Sequence, residues 1–298
     1  QLQALIAMSE AQSYMLAART LGLAQPTVHR AISQFEQEAA RSLFERTSFG
    51  LVATRTCRDI AQAARLAFAE FDQIDADLGE FEGREVGSIR IGALPLPRAK
   101  LLPEAIARFR KERPKQPITV IDGTYKEMLA GLRQGDIDFI LGALRNPLPV
   151  EDVVQEFLFT DHLVILSRPD HKLEGSKELS LDILVEHPWV VPRPGTPTRE
   201  QFDTLFAERA IPMPDSIVEC GSILLMRELL AKSDLLGCIS GQQAWREVQN
   251  GTLVELDAGI RWPGREIGVT YRSGWVPTQA QGLLLSHLRE IASTFTAL

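Results

Sequence analysis

The chain has little cysteine and no hydrophobic run long enough to span a membrane. Its 298 residues include only three cysteines, Cys57, Cys220 and Cys238, an odd number at wide spacing. This spacing fits neither a Cys-x-x-Cys metal pair nor the disulfide framework of a secreted protein. Every apolar stretch is shorter than the ~18 residues of a membrane helix, and no secretory signal pattern is visible. These absences predict a protein of the reducing cytoplasm that does not contact a membrane.

The chain also lacks the sequence signatures of common enzymes. It contains no Gly-x-Gly-x-x-Gly, P-loop, His-Glu-x-x-His or Gly-x-Ser-x-Gly motif. Its histidines are scattered and have no neighbouring cysteine or histidine that would complete a metal site. We therefore predict no catalytic residue, no metal ligand and no cofactor.

The charge of the chain is negative overall but uneven along its length. A net charge of −7 excludes wholesale coating of nucleic acid, so any DNA contact must be local. Residues 1–58 contain six arginines against four glutamates, whereas residues 59–87 contain two arginines against eight acidic residues. The mildly basic N-terminal segment is therefore the part that could approach DNA phosphates.

Residues 17–46 have the pattern of two short helices joined by a tight turn. Gly22 can adopt the left-handed conformation that ends the first helix. Pro26 lies in the first turn of the second helix, where its missing N–H costs nothing. The second helix has one apolar face, which we expect to pack inward: Val28, Ile32 and Phe35.

The opposite face of the second helix carries side chains suited to the major groove. Arginine can fork onto guanine and glutamine onto adenine, while hydroxyls bind phosphate or base. This pattern predicts a DNA-binding helix-turn-helix, although two such helices can also form a mere packing unit. The candidate DNA-contacting residues on this helix are Gln25, Pro26, Thr27, His29, Arg30, Ser33 and Gln34.

The segment resembles the N-terminal domain of the LysR-type transcriptional regulators. The matching elements are paired alanines, a Gln-Pro pair after the turn, a small and then an apolar residue, a glutamate near the helix end and Leu-Phe-x-Arg. They are Ala17, Ala18, Gln25, Pro26, Thr27, Val28, Glu36, Leu43, Phe44 and Arg46. The resemblance extends over the whole chain and implies that Arg46 contacts phosphate near a wing.

The resemblance implies a fold and a function together. The expected fold is α/β, with an N-terminal all-α winged helix-turn-helix, a long linker helix and a bilobed effector domain like that of periplasmic binding proteins. The expected function is sequence-specific binding of double-stranded DNA, modulated by a small-molecule effector. The alternative is a cytoplasmic solute-sensing module whose N-terminal helices serve protein assembly.

Two positions depart from the family pattern. His29 stands where the family usually has serine, which could alter base preference or add a protonatable phosphate contact. A merely solvated histidine is the alternative. Residues 51–57 replace the family's Leu-Thr-x-x-Gly run, which leaves the start of the next helix open.

Residues 59–87 contain an apolar seam that alternates by four and three positions. Such a seam is typical of two-stranded helical pairing, and we expect a dimerising helix from about Asp59 to Glu82. The alternative is an amphipathic helix that lies on its own domain. The resemblance implies the same dimer, and a tetramer built from two dimers. The seam comprises Ile60, Ala64, Ala67, Phe71, Ile74, Leu78 and Phe81.

Residues 88–298 alternate between short strands and helices, which predicts parallel sheets covered on both faces. Their length favours two lobes. Lobe one is expected over about 88–161 and 268–298, and lobe two over about 162–267. The predicted strands include none between Leu141 and Leu163.

Ligands of open α/β sheets bind at the carboxyl ends of strands. The loop Pro192–Arg199 is the sharpest candidate, because Gly195 permits close backbone approach and a helix start can hold a carboxylate or phosphate. The alternative is that Thr198 merely caps the helix. The candidate effector-binding residues are Leu94, Pro95, Thr124, Arg145, Pro194, Gly195, Thr196 and Arg199. Resemblance of these loops and of residues 274–278 to one subgroup suggests an organic acid or a sugar as effector.

Overall fold

The computed structural model describes residues 1–48, 50–82, 87–147, 151–176 and 179–295. The chain divides into two compact units, one of residues 1–91, 115–138 and 276–279 and the other of residues 92–114, 139–275 and 280–298. Among the described residues, no helix is both long and apolar enough to cross a membrane. The N-terminal elements are α1 (Leu2–Ala11), α2 (Tyr14–Leu21), α3 (Gln25–Ala39), β1 (Phe44–Thr47), β2 (Gly50–Ala53) and α4 (Arg55–Phe81).

The predicted helix-turn-helix is formed by α2 and α3. Gly22 ends α2 at a φ of 64°, and its N–H donates to the carbonyls of Ala18 and Arg19. The predicted inward face of α3 is confirmed, since Val28 and Ile32 are fully buried and Phe35 packs against the same core. The domain expected to be all-α also contains an antiparallel hairpin, in which Phe44 of β1 pairs with Ala53 of β2.

The two halves of the predicted seam on the long helix α4 differ in burial. Its first half packs within its own unit, where Ala64 is buried and the Arg65 guanidinium donates to Glu10 at 2.6 Å. Its second half leaves Phe71, Ile74 and Leu78 exposed by 64%, 55% and 57%. The side chain of Phe81 and residues 83–86 lie outside the described part of the chain.

The remaining elements form two five-stranded sheets in the orders β4-β3-β5-β12-β6 and β11-β7-β10-β8-β9. We call the second sheet and its helices lobe two. The elements are β3 (Ile89–Ala93), α5 (Leu101–Glu112), β4 (Ile118–Ile121), α6 (Tyr125–Gln134), β5 (Phe139–Ala143), β6 (Val153–Asp161), β7 (Leu163–Ser167), α7 (Leu181–Leu184), β8 (Trp189–Val191), α8 (Pro197–Glu208), β9 (Ile217–Glu219), α9 (Ile223–Lys232), β10 (Leu236–Ser240), α10 (Gly241–Gln249), β11 (Val254–Glu255), β12 (Arg265–Arg272) and α11 (Gln279–Ser293).

The prediction of parallel sheets was wrong in part. Strand β12 runs antiparallel to both β5 and β6, and β7 runs antiparallel to β10 and β11. Strand β8 shows the expected parallel pairing with both of its neighbours, β9 and β10. The nine-residue strand β6 was missed because it is a sheet edge whose buried positions do not alternate.

Lobe two has an aromatic core beneath its sheet. The rings of Trp189, Phe202 and Phe206 are fully buried, and their centroids lie 5.0 to 6.4 Å apart. The Trp189 indole N–H donates to the carbonyl of Leu184 at 2.9 Å. This packing joins α7 and α8 to the sheet and so fixes the helix whose first turn carries the candidate effector loop.

Two buried histidines should make lobe two sensitive to acid. His171 and His187 lie with ring centroids 5.6 Å apart, and burial lowers the pKa of each from 6.5. Nearby Arg168 and Lys172 act in the same direction on His171, against Asp234. Below pH 6.5 the unfolded chain therefore binds more protons at these histidines than the folded chain does. Their contribution to the free energy of unfolding is fully present above that pH and is lost as the pH falls.

This expectation can be measured by urea denaturation between pH 7.5 and pH 5. We expect His171→Asn to flatten the decline, because the substitution removes one of the two titrating rings. The asparagine oxygen can still accept from the Leu173 N–H, as the ring Nδ1 does at 3.2 Å, so the loop keeps this hydrogen bond. The exposed His162 provides the control, since His162→Asn should keep the wild-type slope. An unchanged slope in His171→Asn would place the acid sensitivity elsewhere.

Candidate DNA-binding and effector-binding sites

The candidate DNA-contacting side chains lie together on the solvent side of α3. All are exposed except Ser33, which is half-buried, and Arg46 is exposed on the neighbouring strand β1. The exposed face therefore combines one arginine, two glutamines and hydroxyls on a helix whose other face is anchored in the core. These residues are Gln25, Pro26, Thr27, His29, Arg30, Ser33 and Gln34.

His29 is held in place by neighbours on two elements. Its ring lies 5.0 Å from that of Tyr14 on α2, centroid to centroid. Its Nδ1 lies 3.5 Å from the Ser33 hydroxyl oxygen, one turn along α3. The side chain that departs from the family pattern is thus packed against an aromatic ring as well as exposed to solvent.

Glu36 ties the end of α3 to the wing. Its carboxylate oxygen Oε1 accepts from the backbone N–H groups of Leu43, at 2.7 Å, and Phe44, at 3.3 Å. This bond sets the start of β1 and with it the position of Arg46. Sequence reasoning placed Glu36 in the family pattern but missed this role, because the partners are backbone groups seven and eight residues away.

Thr54 fixes the start of α4, which the departure from the family pattern at residues 51–57 had left open. Its hydroxyl accepts from the Cys57 N–H at 3.2 Å and donates to the Leu43 carbonyl at 3.1 Å, so it caps α4 and holds the hairpin. Helix α4 consequently begins at Arg55, earlier than the predicted Asp59. Burial raises the pKa of Cys57 to about 11, so this thiol stays protonated near neutral pH.

The candidate effector loop ends at the start of α8, where Thr196 rather than Thr198 is the cap. The Thr196 hydroxyl accepts from the Arg199 N–H at 3.3 Å and donates to the Arg193 carbonyl at 2.9 Å. Gly195 has a φ of 79°, which only glycine adopts readily. Pro194 and Gly195 are exposed, and Thr196 is half-buried.

Arg199 is engaged by the protein itself. Its guanidinium donates to Asp203 at 2.7 Å, to Glu219 at 2.6 Å and to the carbonyl of Pro192 at 3.3 Å. Only 11% of the side chain is exposed. Both carboxylates compete with any anionic ligand for this arginine, so its contacts are those of a residue that holds the loop in shape.

The other candidate effector residues lie on separate loops. Thr124 caps α6 in a capping box with Glu127, and its hydrogen bonds lower the pKa of that carboxyl. The Leu94 N–H donates to the Leu141 carbonyl at 2.9 Å, and Pro95 is exposed. The Arg145 N–H donates to the Gln155 side chain at 3.3 Å. Thr124 belongs to the first compact unit and the remaining candidates to the second.

A buried charged network lies where the chain passes between the two sheets, and sequence reasoning missed it. Arg265 and Asp161 face each other at the last pair of the β12–β6 ladder and form an ion pair, with 12% and 1% of their side chains exposed. Asp161 also accepts from the Ser240 hydroxyl at 2.5 Å, and Arg265 donates to the Thr198 hydroxyl at 2.6 Å. The network thus joins both connecting strands to the starts of α8 and α10. We call it the hinge network.

A winged helix-turn-helix followed by a two-lobed α/β domain defines a DNA-binding transcriptional regulator with an effector-binding domain. The chain belongs to the LysR family. The family described as "Bacterial regulatory helix-turn-helix protein, lysR family" matches residues 1–58, and the "LysR substrate binding domain" matches residues 82–293. These matches favour DNA binding over the alternative of helices used only for assembly.

Named relatives agree with this assignment along nearly the whole chain. The "HTH-type transcriptional regulator GalR" of Pseudomonas putida is 34% identical over 98% of this chain and 73% of its own length. The "HTH-type transcriptional regulator PcaQ" of Agrobacterium fabrum is 26% identical over 98% and 94%. Regulators of this family bind DNA and small-molecule effectors, form oligomers and are not enzymes.

Solved structures share the fold. Full-length OxyR from Pseudomonas aeruginosa has a TM-score of 0.70 at 19% identity, covering 97% of this chain and 93% of its own. Full-length LysG from Corynebacterium glutamicum with bound effector Arg has a TM-score of 0.67 at 16% identity, covering 98% and 97%. At these identities the likeness concerns the fold alone.

Proposed function

We propose that this protein reads an operator through the polar face of α3 and responds to a small anionic effector at the start of α8. The proposal of operator binding rests on the geometry of α3, whose apolar face is buried while its polar face is exposed. The hydrogen bonds between Glu36 and the start of β1 also hold the strand that carries Arg46. Because the target is chromosomal DNA, we place the protein in the cytoplasm.

Arg30→Ala tests base reading by α3. An arginine that forks onto guanine contributes about 1–3 kcal/mol of discrimination, so the variant should bind its sites about 5- to 150-fold more weakly. Binding to DNA isolated by the wild-type protein can be compared with binding to scrambled DNA by fluorescence anisotropy.

Arg55→Ala is the control for lost charge, because Arg55 is 91% exposed at the start of α4. We expect this variant to lose affinity for both DNAs alike, as phosphate contacts do. If Arg30→Ala also weakened both DNAs alike, Arg30 would contact phosphate and not bases.

We propose a dimer through the exposed half of α4, because Phe71, Ile74 and Leu78 form an apolar stripe on one helix. Lobe two also exposes apolar side chains, Val218 on the edge strand β9 and Leu224 and Leu225 in the first turn of α9, which we propose as a second self-association surface. Two distinct self-association surfaces are what a tetramer of two dimers needs. We keep 1–58, 59–87 and 88–298 as the proposed division into DNA-binding domain, linker and effector domain.

The effector site is proposed at the loop Pro192–Arg199, with Leu94, Pro95, Thr124 and Arg145 as further candidates. The helix start and the open space beside Gly195 favour an anion such as an organic acid or an acidic sugar. Arg193 is better placed than Arg199 to supply charge, since among the described residues it forms no ion pair.

Thermal denaturation with gluconate, benzoate and neutral glucose can locate this site. We expect an acid that raises the melting temperature of the wild type to lose its effect on Arg193→Ala. Thr196→Val should reduce the effect as well, because it removes the cap of α8. An acid that stabilised the wild type and Arg193→Ala equally would move the site away from this loop.

A further inference from the structure

A cavity of about 330 Å³ lies at the edge of the second sheet, between β7 and the chain that follows β11. None of the proposed effector residues lines it. A volume of this size is at the lower end of ligand pockets, so it suits a small molecule.

The cavity has an apolar base that is continuous with the core of lobe two. Leu163 and Ile165 of β7 and Leu256 are buried members of that core. Ile260 and Trp262, on the chain that follows β11, are half-buried and also line the cavity. A small aromatic or aliphatic body could therefore lie against Ile260 and Trp262.

The same cavity is lined by two carboxylates. Glu255 and Asp257 alternate with the buried Leu256 and both line the cavity. Asp257 accepts from the Gly259 N–H at 3.0 Å, and among the described residues neither carboxylate forms an ion pair. Burial, and then the charge of Asp257, raise the pKa of Glu255. Both carboxylates are exposed, so a cation can reach them from solvent, and an opposite charge between them would stabilise two like charges on one face.

We propose that this cavity binds a small organic cation, an ammonium group carried on an apolar body, as a second ligand site of the protein. The body would pack on Ile260 and Trp262, which keep accessible surface at the cavity, and the ammonium would lie between the two carboxylates. The indole of Trp262 also lines the cavity, and an indole ring attracts a cation placed over it. The site does not depend on the proposed anionic effector, and it would give lobe two a second chemical input.

Isothermal titration of the full chain with 2-phenylethylamine tests the proposal. Uncharged 2-phenylethanol and anionic 3-phenylpropionate have the same aromatic body and serve as probes of charge. We expect one amine to bind per chain, the alcohol to bind at least about tenfold more weakly, and the acid not to bind, as the loss of a charge-assisted contact requires.

Variants locate the binding. Glu255→Gln together with Asp257→Asn should weaken amine binding at least about tenfold, while the melting temperature shows that the chain is folded. Glu228→Gln, which alters an exposed carboxylate on α9, is the control and should bind as the wild type does. Absence of amine binding by the folded wild type, equal binding by the double variant, or stronger binding of the acid would each overturn the proposal.

Discussion

Asp161→Asn is expected to lower the free energy of unfolding by about 3–5 kcal/mol, the usual cost of leaving a buried charge without its partner. The guanidinium of Arg265 is only 12% exposed, and its Nε has no hydrogen-bond partner among the described residues. Once Asp161 is replaced by neutral asparagine, the buried guanidinium keeps neutral acceptors, the Thr198 hydroxyl and the asparagine oxygen, but has lost its counter-charge. The substitution keeps shape and volume, so lost charge accounts for the effect.

Urea denaturation followed by circular dichroism measures this loss. The control is Arg168→Gln, which breaks a pair with Asp234 whose side chains are 33% and 67% exposed. An exposed pair contributes about 0–1 kcal/mol. If both substitutions cost equally little, the hinge network would be solvated in solution and would not fix the connecting strands.

A double variant separates charge from shape. Asp161→Asn with Arg265→Met removes both charges, and we expect it to recover part of the stability that Asp161→Asn loses. If the double variant lost as much free energy of unfolding as Asp161→Asn and Arg265→Met lose together, the two charges would not be coupled and the buried ion pair would not stabilise the fold. Because Ser240 and Thr198 lie at the starts of α10 and α8, the same substitutions should also change the response to an effector bound there.

Phe71→Asp is expected to raise the dissociation constant of the dimer at least about 100-fold. An unpaired carboxylate buried in a helical seam costs about 3 kcal/mol or more, and 1.4 kcal/mol corresponds to a factor of ten. Phe71 is 64% exposed within one chain, so the fold of the single chain should tolerate the substitution. Operator binding should weaken with it, because a dimer holds two recognition helices on two half-sites.

Sedimentation velocity of the full chain measures the change in oligomeric state. Asp72→Asn, at an exposed position beside Phe71 on α4, is the control and should leave the dimer intact. A Phe71→Asp protein that still sedimented as the wild type does would show that α4 pairs through another surface. It would also favour the alternative that the helix lies on its own domain.

Local features of the N-terminal segment could be predicted from the sequence. The turn at Gly22 and the inward face of α3 follow from residue type and helical period, and both are present in the structure. The exposed face of α3 follows from the same period. These features depend on neighbours within a few positions along the chain, which is the range that periodicity covers.

Features that depend on distant partners could not be predicted. Asp161 and Arg265 are 104 positions apart, and nothing in either local pattern indicates that they pair. Arg199 was proposed for effector binding because its loop opens a helix, whereas Asp203 and Glu219 hold it in the structure. The period of the α4 seam was visible, but not that its first half packs against α1.

Footprinting of the purified protein on fragments of its host's genome, at two salt concentrations, tests whether α3 recognises a specific DNA site. We expect protection of a pseudo-palindromic site, with half-sites about one helical turn of DNA apart and weaker protection at higher salt, as released counterions require. Absence of protection at every salt concentration, by a protein shown to be folded and dimeric, would contradict DNA recognition by α3.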